Sequence, residues 1–211
     1  MTFTMDAEVA AVLQAALEKN GPPPTPPAGD VQTRRVTLDA MLEYFNNQAQ
    51  PLADDVKITD HEVTTADGAT LLARWYRRPS SNTGAAVLYL HGGGMIVGSV
   101  PIFDGPVSRY VARTGVPMLS VQYRLAPEHP HPVPVEDAYA GLTWLASHAG
   151  ELGIDPGRIA VMGDSAASPP AAYLPDARRS HDDARPLHRA VRRLVLRRQR
   201  HGLERSAGSG T

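Results

Sequence analysis

Ile159-Ala160-Val161-Met162-Gly163-Asp164-Ser165-Ala166-Ala167 runs a short apolar segment directly into a turn with a serine at its crest. Such an unbroken apolar run predicts a strand buried on both faces of a parallel sheet. Gly-x-Ser-x then predicts a sharp strand-to-helix turn that lifts Ser165 above the sheet end, where open α/β sheets keep their reactive groups. Earlier in the chain, Ala86–Leu90 is a run of the same kind, and His91-Gly92-Gly93-Gly94 follows it at once. Three successive glycines let the backbone approach a ligand closely and aim its N–H groups at one point. That array suits the oxyanion of a tetrahedral intermediate in acyl transfer. A phosphate loop is the rival, but neither G-x-x-x-x-G-K-[ST] nor G-x-G-x-x-G is present at this turn.

Working outward, Val116–Val121 predicts a third parallel strand. Helical patterns lie between the three, near Phe103–Arg113 and near Val135–His148, the latter with Val135, Ala138, Tyr139, Leu142 and Leu145 on one face. Strand, helix, strand, helix, strand implies right-handed crossovers and an α/β layer architecture. Val56–Thr64 and Thr70–Tyr76 predict a leading pair of strands, joined through the hairpin signal Ala66-Asp67-Gly68. At the N-terminus Asp6 is placed to cap a helix with Val9, Val12, Leu13, Ala16 and Leu17 on one face, ended by Gly21 and Pro22-Pro23-Pro24. A second helix is predicted around Leu38, Met41, Leu42 and Phe45, again as one face. Two helices separated by a proline-rich linker suggest an appendage packed over something else, with ordinary core helices as the alternative reading of the same periodicity.

The chain has 211 residues, 42% hydrophobic, with a net charge of −1 and no cysteine. It is long enough for one domain with a core, and it lacks thiol catalysis, disulfides and cysteine-ligated zinc. No apolar run reaches the ~18 residues of a membrane span, and Met1–Asp6 lacks the regions of a signal peptide. A cytoplasmic globular protein is the expectation, with no nucleic-acid partner for the chain as a whole. The net charge conceals a division. Residues 1–166 carry 11 Lys+Arg against 18 Asp+Glu, whereas residues 167–211 carry 10 Arg against Asp176, Asp182, Asp183 and Glu204.

Together with the elbow and the glycine loop, three further segments complete a resemblance. They are Tyr123-Arg124-Leu125-Ala126-Pro127-Glu128-His129-Pro130, Val135-Glu136-Asp137-Ala138-Tyr139 and Asp155-Pro156-Gly157-Arg158-Ile159. The chain resembles the hormone-sensitive-lipase-like branch of the α/β-hydrolase fold, strongly over residues 80–166 and loosely over 1–79. The resemblance implies a mostly parallel sheet flanked by helices, with the two leading helices as part of a cap over the active site. It implies hydrolysis of a small-molecule carboxylic ester, without cofactor or metal. By carry-over Ser165 is the nucleophile, and Gly93, Gly94 and Ala166 donate the oxyanion N–H groups. His91, Gly92, Gly163 and Asp164 belong to the same motifs, with His91 a structural part of its loop rather than the base. The segment 123–130 is expected to brace the active-site loops through Arg124 and Glu128. His129 and His131 have the spacing of metal ligands, but no third ligand accompanies them.

The pattern departs after the serine. In this fold the acid and the histidine follow the nucleophile on later loops, and 46 residues remain after Ser165 without the family's acid or histidine motif. Triad acid and base are therefore not identified. Ala167 stands where the family has glycine, and Pro169, Pro170 and Pro175 interrupt the helix expected there, at a cost of about 3 kcal/mol or more each inside a helix. His181, His188 and His201, with Asp176, Asp182 and Asp183, supply triad residue types but no strand to place them. Leu187, Val191, Leu194 and Val195 against Arg189, Arg192, Arg193, Arg197 and Arg198 form an amphipathic basic pattern of the sort that contacts anionic lipid or phosphates.

The expected organisation is thus 1–50, cap helices and proline-rich linker; 51–166, a partial α/β-hydrolase domain lacking the C-terminal half of its sheet; and 167–211, an Arg/Pro-rich tail. That tail is expected to be disordered or an out-of-frame product of a GC-rich gene. The expected function is ester hydrolysis by family, with little activity in this chain. The alternatives are ligand binding without catalysis, as in the gibberellin receptors some relatives resemble, or contact with nucleic acid or membrane through the tail.

Overall fold

Asp6 opens the first helix as its composition requires. Its carboxylate accepts from the Glu8 and Val9 N–H groups at 2.9 and 3.3 Å, capping α1 (Ala7–Asn20), which Gly21 ends at φ +72°. The computed structural model describes residues 5–21, 25–48, 52–81 and 83–167. The predicted features of residues 168–211, including the three prolines, the His/Asp set and the basic helix, lie outside the described residues, as do Pro22, Pro23 and Pro24.

Asp30 caps α2 (Val31–Glu43) through the Thr33 N–H at 3.0 Å, and a single π-helical turn, Tyr44–Gln48, continues it. The predicted apolar face of this helix needs correction. Leu38 is half-buried and Leu42 packs beside a core cluster, but Met41 is 47% and Phe45 58% exposed, and Val36 is 74% exposed. Turned inward instead are Arg35 and Asp39.

The sheet forms from five strands: β1 (Lys57–Thr64), β2 (Thr70–Arg77), β3 (Ala86–Leu90), β4 (Met118–Val121) and β5 (Ile159–Gly163). Their order is β1-β2-β4-β3-β5, with β1–β2 and β2–β4 antiparallel and β4–β3 and β3–β5 parallel. The Ala66-Asp67-Gly68 turn closes the first hairpin, with Thr64 opposite Thr70 and Gly68 at φ +84°. β4 begins at Met118 rather than Val116, because Pro117 has no N–H for the ladder, although its carbonyl still accepts from Val87 N–H at 3.0 Å.

Helices cover both faces. α4 (Val133–Ser147) lies over Leu88, Leu90, Leu119 and Val121, burying Ala138, Leu142 and Leu145. A Cβ on Gly141 would come within 2.5 Å of Val121 Cγ2, so the lack of a side chain there sets how closely helix and sheet approach. α3 (Asp104–Thr114) lies over the opposite face, where Val107 and Val111 meet Tyr76, Tyr89, Phe103 and Met118. The short α5 (Ala149–Leu152) turns the chain back toward β5 through Gly153 at φ +69°.

β5 differs from the doubly buried strand its apolar run predicts. Ile159 is buried, but Ala160–Gly163 are half-buried, whereas all four residues of β4 are buried. The reason is topological: β5 is hydrogen-bonded to β3 on one side and to no second strand among the described residues. No helix among those residues is long and apolar enough to cross a membrane.

Candidate active site

β3 and β5 are parallel neighbours, so the two motifs that follow them emerge side by side: Leu90 pairs with Gly163, and Asp164 N–H donates to Leu90 O at 3.2 Å. At the next residue the chain reverses. Ser165 has φ +52°, a left-handed conformation uncommon for a residue with a Cβ, and it opens a single 3₁₀ turn, Ser165–Ala167. Its side chain is exposed, and it makes no hydrogen bond among the described residues. Ala167 is 1% exposed within the core beneath α4, so the methyl group at this position is accommodated by packing. The Asp164 carboxylate accepts from Tyr89 O–H at 2.6 Å, and burial together with that carboxylate pushes the Tyr89 phenol well up.

The glycine loop packs against the elbow. A Cβ on Gly92 would lie 3.2 Å from Asp164 O and 3.4 Å from Ser165 Cβ. Gly93, at φ +128°, has no room for a side chain: its Cβ would lie 2.1 Å from Val97 O. Gly93 O in turn accepts from Ile96 and Val97 N–H at 3.1 and 3.0 Å, winding the loop into a tight turn through Gly94 (φ +63°) and Met95 (φ +61°). The Gly93 and Gly94 N–H groups themselves donate to no acceptor among the described residues. In the Ser165–Ala167 turn, the Ala167 N–H is taken by Asp164 O at 3.0 Å.

His91 occupies the floor of this loop. It is fully buried, with its ring stacked on Tyr123 (centroids 4.3 Å apart) and beside Phe103 (5.6 Å). Its Nδ1 lies 2.9 Å from Gly92 O, and since a carbonyl only accepts, Nδ1 carries the proton. Nε2 is buried without a partner among the described residues, and burial holds the imidazole down to about 4. Tyr123 O–H donates to His91 O at 2.6 Å. The imidazole is therefore neutral and built into the loop, as a structural part would be.

Arg124 and Glu128 of the 123–130 segment pair with α4, the first hairpin and α2, rather than directly with the glycine loop or the elbow as the sequence suggests. Arg124 donates through its backbone N–H and Nε to Asp137 Oδ2, both at 2.9 Å, and through Nη2 to Oδ1 at 2.7 Å. Asp137 is fully buried on α4, and Arg124 also reaches Asp67 in the first hairpin at 2.8 and 3.1 Å. Glu128 accepts from Arg35 at 2.8 and 2.7 Å, and that pairing holds its carboxyl down to about 2. Ala126 N–H donates to Met95 O at 2.9 Å, tying the segment to the glycine loop.

Sequence reasoning missed the contribution of α2. Arg35 Nε donates to Ile96 O at 2.5 Å and Nη2 to Ala126 O at 2.7 Å, while Asp39 Oδ1 accepts from Gly98 N–H at 2.7 Å. The i, i+4 spacing of the two was a usable signal, but on a helix it also describes an ordinary surface pair.

Two clefts open elsewhere. One of about 650 Å³ lies between the first hairpin and α4, lined by Val63, Tyr139 and Trp144 among others; one of about 480 Å³ is lined by Arg35, Leu71, Gln122 and Leu125 among others. Neither is lined by Ser165. His129 and His131 join no group of three possible metal ligands among the described residues.

Known proteins share this arrangement. A family model described as the alpha/beta hydrolase fold matches residues 87–168. Esterase LipI of Mycobacterium tuberculosis is 38% identical over 156 residues, which are 70% of this chain and 48% of that protein. An ethyl acetate hydrolase of Pseudomonas putida is 44% identical over 120 residues, 56% of this chain and 38% of that protein. Among solved structures, an esterase of Pyrobaculum calidifontis superposes with a TM-score of 0.70 at 33% identity, over 83% of this chain and 54% of its own. The chain thus spans about half the length of the curated relatives it matches, or less.

Proposed function

We propose that this chain, which belongs to the hormone-sensitive-lipase-like esterases of the α/β-hydrolase fold, carries the nucleophile and oxyanion portion of a carboxylic-ester hydrolase site. Ser165 attacks the ester carbonyl. Gly93, Gly94 and Ala166 N–H groups receive the oxyanion, the alcohol leaves, and water releases the acid from the acyl-serine. The observation that carries this reading is the left-handed Ser165 held against Gly92, in the same motif pair as two glycine N–H groups without acceptors among the described residues.

An alkoxide at neutral pH needs a base to take the serine proton. His91 is unfit for it, being buried, stacked and protonated on the nitrogen that meets Gly92 O. No imidazole or carboxylate is hydrogen-bonded to Ser165 among the described residues. On this reading the 211-residue chain turns over esters at a trace rate. The test is hydrolysis of p-nitrophenyl acetate and butyrate by the purified chain and its Ser165→Ala variant. Trace turnover unaffected by the substitution is expected. Robust turnover abolished by it would locate a working base among residues 168–211, which hold His181, His188 and His201. Sequencing the gene across the codons for Gly163–Tyr173 and beyond the stop tests the out-of-frame origin of the tail. A continuation with a downstream Asp and His in another frame supports that origin, and its absence refutes it.

A further inference from the structure

The second helix turns charge as well as Leu38 and Leu42 toward the protein. Its apolar Val36 and Met41 are 74 and 47% exposed, Tyr44 and Phe45 of the π-helical turn that continues it are 53 and 58% exposed, and no residue of α2 is fully buried. Its charged Arg35 and Asp39 face the protein, where Arg35 keeps 20% side-chain exposure. Turning charge inward is unfavourable unless the charge is hydrogen-bonded, and here each charge ends on the glycine loop. Asp39 takes Gly98 N–H at 2.7 Å; Arg35 Nε gives to Ile96 O at 2.5 Å. The other Arg35 donors hold Ala126 O and Glu128, and Ala126 N–H in turn holds Met95 O. The loop so gripped is one whose backbone is unusual at four places, with positive φ at Gly93, Gly94, Met95 and Gly98. A Cβ at Gly98 would lie 2.7 Å from Gly92 O, so its position is coupled directly to the start of the motif.

We propose that Arg35 and Asp39, one helical turn apart on α2, are positioning residues that hold the 91–98 loop in the shape that leaves the Gly93 and Gly94 N–H groups free. The inference rests on the oxyanion reading of that loop and adds to it an N-terminal helix as part of the apparatus. The ion pair with Glu128 carries the clamp on to the 123–130 segment, so both sides of the loop are fixed from one helix.

Amide exchange and NMR of the whole chain test it without requiring turnover. Asp39→Ala removes the acceptor of Gly98 N–H; losing a hydrogen bond to a charged group predicts exchange at Gly98 faster by about ten-fold or more. Arg35→Gln is expected to accelerate exchange at Ile96 and Val97. Asp39→Asn keeps an oxygen acceptor and is expected to stay within about three-fold of the parent at Gly98. Protection in β3 and β4 serves as the control for folding. Unchanged exchange across 91–98 in Asp39→Ala and Arg35→Gln would overturn the clamp, as would loss of protection spread equally over the sheet. Phenylphosphonate, a tetrahedral anion that binds without an activated serine, separates the two layers of argument. It is expected to shift the Gly93, Gly94 and Ala166 amides in the parent and less in Asp39→Ala. A parent whose three amides ignore it refutes the oxyanion reading, whatever the exchange data say of the clamp.

Discussion

Gly93 and Gly94 are adjacent, both have positive φ, and both are assigned an oxyanion N–H, yet replacing them with alanine has different consequences. At Gly94 the Cβ enters open space: the nearest atom is Ile96 Cγ1 at 3.7 Å, an ordinary contact. The cost is that of a left-handed alanine at φ +63°, about 1–2 kcal/mol. At Gly93 the Cβ lies 2.1 Å from Val97 O and 2.7 Å from Val97 C, where carbon and oxygen normally keep about 3.3 Å or more. The loop must open by about 1 Å, and the φ of +128° belongs to a region glycine alone occupies freely. Backbone strain of about 1–3 kcal/mol and overpacking of about 1–3 kcal/mol together give about 4 kcal/mol at mid-range. For a chain of this size each kcal/mol lowers the melting temperature by about 2–4 °C. Gly93→Ala is therefore expected to melt about 12 °C below the parent and Gly94→Ala about 5 °C below it, by circular dichroism. Opening the turn also breaks the Ile96 and Val97 bonds to Gly93 O, so their exchange should accelerate in the first variant and not in the second. Equal losses in the two variants, or a Gly93→Ala protein within about 0.5 kcal/mol of the parent, would refute the steric argument.

Two further outcomes follow from the ion pairs. Asp137→Ala leaves the Arg124 backbone N–H and half its guanidinium without their buried acceptor, a loss of about 3 kcal/mol, the low end for breaking a buried pair because Asp67 remains. Asp67→Ala, whose carboxylate is 57% exposed and therefore screened by water, is expected to shift the unfolding midpoint far less than Asp137→Ala, both read by thermal or urea unfolding. Glu128 has its carboxyl lowered from 4.5 to about 2 by Arg35, so the pair's contribution is complete above pH ~4.5 and is lost as the pH falls toward 2. Protection of α2 and of Gly98 is expected to persist at pH 5 and to fall below pH 4; loss between pH 8 and 6 would contradict the assignment.

What the sequence made legible is whatever depends on period and punctuation. β3 begins and ends where its apolar run does, the first hairpin turns at Ala66-Asp67-Gly68, and α4 buries the Ala138, Leu142 and Leu145 stripe, because burial of alternate or every third-to-fourth side chain is a local property of the chain. The elbow was legible for a different reason: Gly163-Asp164-Ser165-Ala166 is a short motif whose geometry is set by the strand before it. The α2 clamp was illegible because its meaning is non-local. Arg35 and Asp39 look like a solvated i, i+4 pair until the chain has brought Ile96 and Gly98, some sixty residues on, beneath them. The apolar residues of the same helix misled in the opposite sense, since Met41 and Phe45 satisfy a helical stripe and still face outward. A helix with no fully buried residue depends on directional polar contacts as well as on the packing of Leu42. Such contacts are satisfied at one alignment and lost at others, whereas apolar packing tolerates small slides. On the proposed clamp, α2 therefore sets the alignment of the glycine loop through a few contacts from Arg35 and Asp39, each open to removal by a single substitution.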